Sequence, residues 1–245
     1  MNSSNIFSGH QWNPFISWGY TDSFWYFNTE TIASTAVVLL LIVLMSFLSS
    51  RALKNETSVA SFAIVSYVRL FQGMMIETMN SAPLPYLSFI ASLFTFIALC
   101  NTISIIPWLE EPTKDINTTV ALGLISFFYV QIAGIIVTGW KAYLQDYLHP
   151  FFLMLPLNII GKLTSIISLS FRLFGNIFGG YVIISLYNQM VAQSFLLQSL
   201  SLLSGVQIAL LCVFNVFEGL MQAFVFAMLT LTYLSMQIVA EEESE

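Results

Sequence analysis

The sequence predicts an all-α polytopic membrane protein of five transmembrane helices plus one membrane-surface helix, the last two spans long and steeply inclined as a hairpin. Three observations predict it. Hydrophobic residues make up 57% of the chain and charged residues 8%, against the roughly 25% charged residues of soluble domains. Five apolar runs, at about 32–48, 86–108, 118–140, 158–188 and 201–239, approach or exceed the roughly 20 residues that cross a bilayer. The final run would make about 58 Å of helix against a hydrocarbon core of about 30 Å. A helix of that length must tilt, kink or leave the membrane.

The elements follow in order. Residues 1–31 hold His10, Trp12, Phe15, Trp18, Phe24, Trp25 and Tyr26. They lack the basic start and short apolar core of a cleavable signal, and read as an external interfacial segment. Between the first two spans, over about 58–81, Val59, Phe62, Val65, Phe71, Met75 and Met79 are interrupted by Arg69, Gln72 and Glu77. That mixture predicts a surface helix, with a sixth span as the competing reading. The membrane domain thus covers 32–240, followed by an acidic tail at 241–245.

Charge sets the orientation. Arg51, Lys54 and Arg69 fall in the first inter-span segment, and Lys141 and Lys162 flank the third and fourth spans. With five spans these share one side, which basic residues mark as cytoplasmic; the amino terminus is then outside and the carboxyl terminus inside. The net charge of −6 says little about nucleic acid, because Glu241, Glu242, Glu243 and Glu245 crowd the tail; no nucleic-acid partner is expected. Cys100 and Cys212 lie in apolar runs and read as small core residues. His10 and His149 stand outside the spans and read as solvated or satisfied. Neither metal nor cofactor is expected, and no glycine loop cradles a phosphate.

Arg172 stands alone as a charge in the stretch 163–186. Its charge is permanent, and at mid-bilayer it costs from roughly 3 to more than roughly 10 kcal/mol. Apolar turns on both sides oppose snorkelling to a headgroup. Ser165, Ser168, Arg172 and Asn176 follow one another at helical spacing, with Gly175, Gly179 and Gly180 nearby. Serines bonded to their own backbone and glycines at a helix contact explain each residue singly. A water-lined groove explains the stripe. On the last run Asn215, Glu218 and Gln222 share the spacing of one helical face. Glu218 is either a buried salt-bridge partner of Arg172 or a protonatable relay, since burial raises a carboxylate's pKa towards working pH.

These residues resemble subunit a of rotary F-type ATP synthases of bacterial type. The resemblance rests on Ser168-Leu-Ser-Phe-Arg172-Leu-Phe-Gly-Asn176 followed by Gly179, on Gln222-Ala-Phe-Val-Phe, on Leu229-Thr-Leu-Thr-Tyr-Leu-Ser-Met236, and on Pro112-Thr-Lys-Asp115-Ile-Asn117-Thr in an external loop. It covers most of the chain from about residue 80 and, more loosely, the amino-terminal part. It implies that the inclined hairpin presses against the rotating ring of subunit c. Arg172 matches the family's essential arginine and Gln222 the glutamine facing it. Asn176 and Ser168 match polar positions near the outer and inner half-channels, and Asp115 an acid near the outer entrance. Gly175, Gly179 and Gly180 would allow close approach of the rotor.

Three positions depart from the family pattern. Tyr181 stands where many relatives carry an acid or histidine, Asn215 where many carry an ionisable residue, and Asn158 where several carry a glutamate. Glu218 then stands to supply the carboxylate from the next turn. The implied role is a stator channel that carries protons, or alternatively sodium ions, to and from the ring and couples ion flow to ATP synthesis. Implied partners are the subunit c ring, the peripheral-stalk subunit b, other ATP synthase subunits and the lipid bilayer, in a bacterial inner or plasma membrane. The chain would not be catalytic alone. A secondary transporter with Arg172 binding an anion would predict two related halves, and no internal repeat is visible. A membrane scaffold built on an Arg172–Glu218 bridge is the second rival.

Overall fold

The computed structural model describes residues 11–12, 27–54, 58–81, 83–106, 109–141, 143 and 155–239. The expectations for His10, His149, the tail 241–245 and most of the aromatic amino-terminal segment lie outside them. Among the described residues the chain is helical apart from one antiparallel two-residue pairing, β1 (Gln11–Trp12) with β2 (Phe27–Asn28). The helices are α1 (Thr29–Ala52), α2 (Val59–Met79), α3 (Leu84–Thr102), α4 (Ile116–Thr138), α5 (Leu155–Val191), α6 (Phe195–Ser204), α7 (Val206–Leu211) and α8 (Gly219–Val239). Short 3-10 turns cover Ile103–Ile105 and Pro112–Lys114, and a π-helical segment, Cys212–Glu218, joins α7 to α8. Among the described residues six stretches are long and apolar enough to cross a membrane, α2 among them. The chain is a multi-pass membrane protein.

Local chemistry sets the helix ends. The Asn28 side chain accepts from the Glu30 amide at 3.1 Å and Ser58 from Ala60 at 3.3 Å, each satisfying an amide that the first turn leaves free. Asn80 ends α2 at φ 54, its amide donating to the Ile76 carbonyl at 2.9 Å. Gly139 ends α4 at φ 82. The apolar run at 201–239 is not one helix. Gly205 at φ 67 breaks it between α6 and α7, and the π segment interrupts it again. From α7 to the end of α8 the last candidate span still holds 33 residues.

α8 is the central helix, packing on α2, α3, α4 and α5. One core joins Phe71, Met75 and Met79 of α2, at steps of four, to Leu87, Val130, Ala227 and Leu231. A second joins Ile97 of α3, Leu122 of α4, Leu169, Leu173 and Ile177 of α5, and Ala223 and Phe226 of α8. Lipid is as apolar as these side chains, so close helix contact through small residues must supply the cohesion. A Cβ on Gly123 would strike the Ser170 hydroxyl across α4 and α5, and one on Gly134 would strike Gln237 of α8. Leu40, Val43 and Phe47 of α1 face outward, as lipid contact allows. Cys100 is buried as expected, whereas Cys212 is exposed.

The π segment is tied to the loop before α4. A π turn shifts backbone hydrogen bonding by a residue, and such segments recur at functional sites. Asn101, fully buried at the end of α3, donates its Nδ2–H to the Gly219 carbonyl at 2.9 Å and accepts from Thr113 Oγ1 at 2.7 Å. A Cβ on Gly219 would lie 2.9 Å from Asn101 Cβ, so only glycine fits without a shift. Asn101→Ala leaves the Thr113 hydroxyl and the Gly219 carbonyl unpaired, and should cost about 1–3 kcal/mol. Gly219→Ala should cost a similar amount, about 1–3 kcal/mol, through overpacking. Both are measured as a lower melting temperature of the detergent-solubilised protein; an unchanged melting temperature would refute the tie.

Candidate functional site

The side of α5 opposite the core carries the charge. Leu169, Leu173 and Ile177 are buried at steps of four, which turns Ser168, Phe171, Arg172 and Gly175 outward. Among the described residues Arg172 forms no ion pair and no hydrogen bond. The Glu218–Arg172 bridge, one of the two readings of Glu218, is therefore not made among the described residues. Glu218 is half-buried at the end of the π segment. Gly175 and Gly179 leave open space where a side chain would be. Gly180 does not: it is buried, and a Cβ there would lie 3.1 Å from Phe214 Cβ, so its close approach is to the π segment rather than to anything outside the chain.

Two cavities flank Arg172 along α5. The larger, about 530 Å³, lies before it in sequence and is bounded by Lys162 and Ser165 of α5, Ser126 and Gln131 of α4, and Thr230 and Gln237 of α8. Lys162 donates to Gln237 Oε1 at 3.2 Å and lies over the Tyr143 ring, whose hydroxyl bonds Gln131. Ser165 donates to its own helix at the Gly161 carbonyl, 3.0 Å away. The smaller cavity, about 170 Å³, lies beyond Arg172 and is lined by Ser104, Glu110, Glu111, Lys114, Tyr181 and Asn215. Along the helix, Arg172 is about 10 Å from Ser165 and about 14 Å from Tyr181. Glu218 lines neither cavity.

The small cavity holds a buried carboxylate. Glu111 is 6% exposed and accepts a hydrogen bond from the Ser104 hydroxyl, which in turn accepts from Asn215 Nδ2 at 2.6 Å. Burial pushes the Glu111 carboxyl above the usual carboxylate range; the Ser104 bond and the Lys114 charge pull it down, and Glu110 pushes it up. Lys114 pairs with Glu110 and lies 4.4 Å from the centroid of the Tyr181 ring. Asp115, expected at an entrance, instead caps α4, accepting from the Asn117 amide at 3.0 Å. The smaller cavity is lined by Glu110 and Glu111 rather than Asp115, and Glu111 is the buried one. The signal for it was faint: as the residue before Pro112 it is held extended, at φ −66 and ψ 120, but a Glu-Glu pair in a loop reads first as a solvated charge run.

Asn215, Glu218 and Gln222 do not act as one face. The 3.6-residue period fails through the π segment, and it turns Asn215 to Ser104 while Gln222 meets α5. Gln222, 3% exposed, accepts from Asn176 Nδ2 at 2.9 Å, and its own Nε2 has no partner among the described residues. Its amide is thus engaged one turn beyond Arg172 rather than with the arginine. Ser168 is exposed.

With this geometry in place, comparison with known proteins gives a consistent result. The ATP synthase A chain family matches residues 31–235. ATP synthase subunit a of Moorella thermoacetica is 33% identical over 84% of this chain and 89% of its own length. ATP synthase subunit a 2 of Acaryochloris marina is 34% identical over 84% and 83%, and ATP synthase subunit a 1 of Chlorobaculum parvum 34% over 87% and 90%. The chain belongs to the ATP synthase A chain family: a membrane subunit of ATP synthase that takes part in ion transport and ATP synthesis with the other subunits of the complex.

The Asn176–Gln222 bond predicts a sign pattern. Asn176→Leu strands the second polar end of a buried glutamine and should cost about 1–3 kcal/mol. Adding Gln222→Leu removes the stranded group, so the double variant should melt close to the unmodified protein. Additive losses across the double-mutant cycle would rule out the coupling.

Proposed function

As a member of this family, the chain is, we propose, the stator ion channel of the membrane sector, in which Arg172 faces the carboxylates of the rotating subunit c ring. One observation carries the reading. A permanent charge stands on an open face of α5, unpaired among the described residues, with a separate cavity that holds polar side chains on either side. An exposed guanidinium at that depth needs a partner, and an ionised rotor carboxylate is a suitable one. Gly175 and Gly179, open on the outer side, favour close approach of a rotor helix.

The two cavities are read as the inner and outer half-channels. The larger, beside Lys162, opens to the cytoplasm under the basic-residue rule; the smaller, at the loop between α3 and α4, opens outside. Ions load through one, ride the neutralised rotor carboxylate through lipid, and leave through the other. Arg172 stabilises the ionised carboxylate between them. Opposite charges at 4 Å interact by about 4 kcal/mol at an effective dielectric of 20, enough to move protonation by a few units. It also blocks direct leakage. Protons are the default cargo, with sodium the alternative. On this reading ATP chemistry belongs to other subunits, the c ring and subunit b are neighbours, and the bacterial inner or plasma membrane is the location. Glu218, free of Arg172, is proposed as a relay station between the outer cavity and the rotor.

In membrane vesicles carrying the assembled complex, Arg172→Ala should abolish ATP-driven pumping while leaving the chain's abundance unchanged. Arg172→Lys should fail as well, because a compact ammonium does not reproduce the planar fork. Wild-type pumping by Arg172→Ala would sink the reading. Glu218→Gln should slow pumping without loss of abundance; a matching loss of abundance would make Glu218 structural instead.

A further inference from the structure

Tyr181 and Asn215 leave the smaller cavity without a carboxylic acid from either membrane helix, yet two acids of the loop ahead of α4 line it: Glu110, paired with Lys114, and the buried Glu111. Glu111 enters it from the loop ahead of α4, and the residues around it are arranged to hold it there. Pro112 fixes the extended backbone of Glu111, and Thr113 anchors the next turn to the buried Asn101 at 2.7 Å. The loop is therefore tied to the bundle at the residue adjoining the acid's own proline.

From this juxtaposition we infer that Glu111 is the carboxylate that exchanges protons in the outer half-channel of this chain, with Asn215 and Ser104 as its positioning residues. The inference rests on the stator reading above. Asn215 Nδ2–H can only donate, so it occupies a lone pair of the Ser104 oxygen and turns the hydroxyl hydrogen towards Glu111 Oε1. A serine held in that direction receives no proton from Asn215; it fixes the acid's rotamer and favours its charged form. Hydronium in the cavity gives a proton to the Glu111 carboxylate and leaves water, and the acid then passes that proton to the next acceptor inward, which regenerates the carboxylate.

The charged neighbours leave Glu111 free for this task. From its own loop Lys114 and Glu110 face it, and they pair with each other. From α5 comes Tyr181, which stacks under Lys114; from the segment after α3 and the π segment come the uncharged Ser104 and Asn215. Glu218, the acid of the last span, lies outside the cavity lining. Burial raises the Glu111 pKa towards the range where a relay exchanges protons readily, and the Ser104 bond opposes that rise.

The test uses the assembled complex in membrane vesicles, with ATP-driven proton pumping followed across pH and Arg172→Ala run in parallel. Glu111→Gln keeps size and hydrogen bonding and should reduce pumping at least tenfold. Placing an acid elsewhere in the same cavity, as Glu111→Gln with Tyr181→Glu, should restore pumping. Ser104→Ala removes a bond that lowers the Glu111 pKa, so the acidic limb of the pH profile should move to higher pH. If Arg172→Ala abolishes pumping while Glu111→Gln leaves both rate and pH profile unchanged, the inference on Glu111 is overturned and the stator reading stands. If Arg172→Ala itself pumps normally, the stator reading fails first. Should Glu111→Gln reduce assembly, Glu111→Asp decides: a displaced pH profile supports the inference, and an unaltered one overturns it.

Discussion

Lipid offers no hydrogen bonds, and this constraint governs both the fold and the site. Each backbone group in a span must be satisfied by the chain, and each charge must find a partner or water. The chain meets the first demand with helices and, where a helix deviates, with a dedicated side chain. Asn101 serves that purpose at Gly219, bonding a carbonyl at the point where π geometry returns to α. The second demand is left open at Arg172. Among the described residues nothing pairs with it. A protein that functions inside a complex can leave such a charge for a neighbour to answer.

The π segment links these features. Across seven residues it changes the direction of the last span's side chains, sending Asn215 to the loop side while Gln222 stays against α5. The same rotation brings Phe214 against Gly180, which closes the hairpin beside the small cavity. Below it, Ala223 and Ala227 let α8 run through the centre of the bundle in close contact with its neighbours. One irregular turn thereby separates the upper part of the span, from which Asn215 reaches the loop side, from a tightly packed lower part.

The position of Glu111 shows how loops and spans share the chemistry. A carboxylate borne by a spanning helix must be tuned against lipid. A carboxylate borne by a loop can be buried by folding the loop into the bundle, and here Asn101, Thr113 and Ser104 do the folding. The neighbouring charges Lys114 and Glu110 are satisfied by one another, so burial rather than a permanent counter-ion dominates the environment of Glu111.

Membrane class and helix content were legible in the sequence, because each depends on a local property, long apolar runs; that Arg172 is a lone charge within one of them was equally plain. The outward face of Arg172 followed from the 3.6-residue period of α5, which holds without interruption. The period misled in the last span, since nothing local distinguishes Cys212–Glu218 from an α-helix; the tertiary contacts of Phe214 with Gly180 and of Gly219 with Asn101 accompany the π geometry there. The break at Gly205 was accessible as a glycine but was masked by apolar residues on both sides. That Glu111 rather than Asp115 lines the small cavity was hidden for a related reason. Spacing says which residues can cap a helix or line a face, but the burial of a loop carboxylate depends on partners distant in sequence, Ser104 seven residues away and Asn215 more than a hundred. Sequence alone thus determined that a charge stands in the membrane; only the tertiary structure decided which acid shares a cavity with Tyr181, because that pairing is made by packing between elements rather than along any one of them.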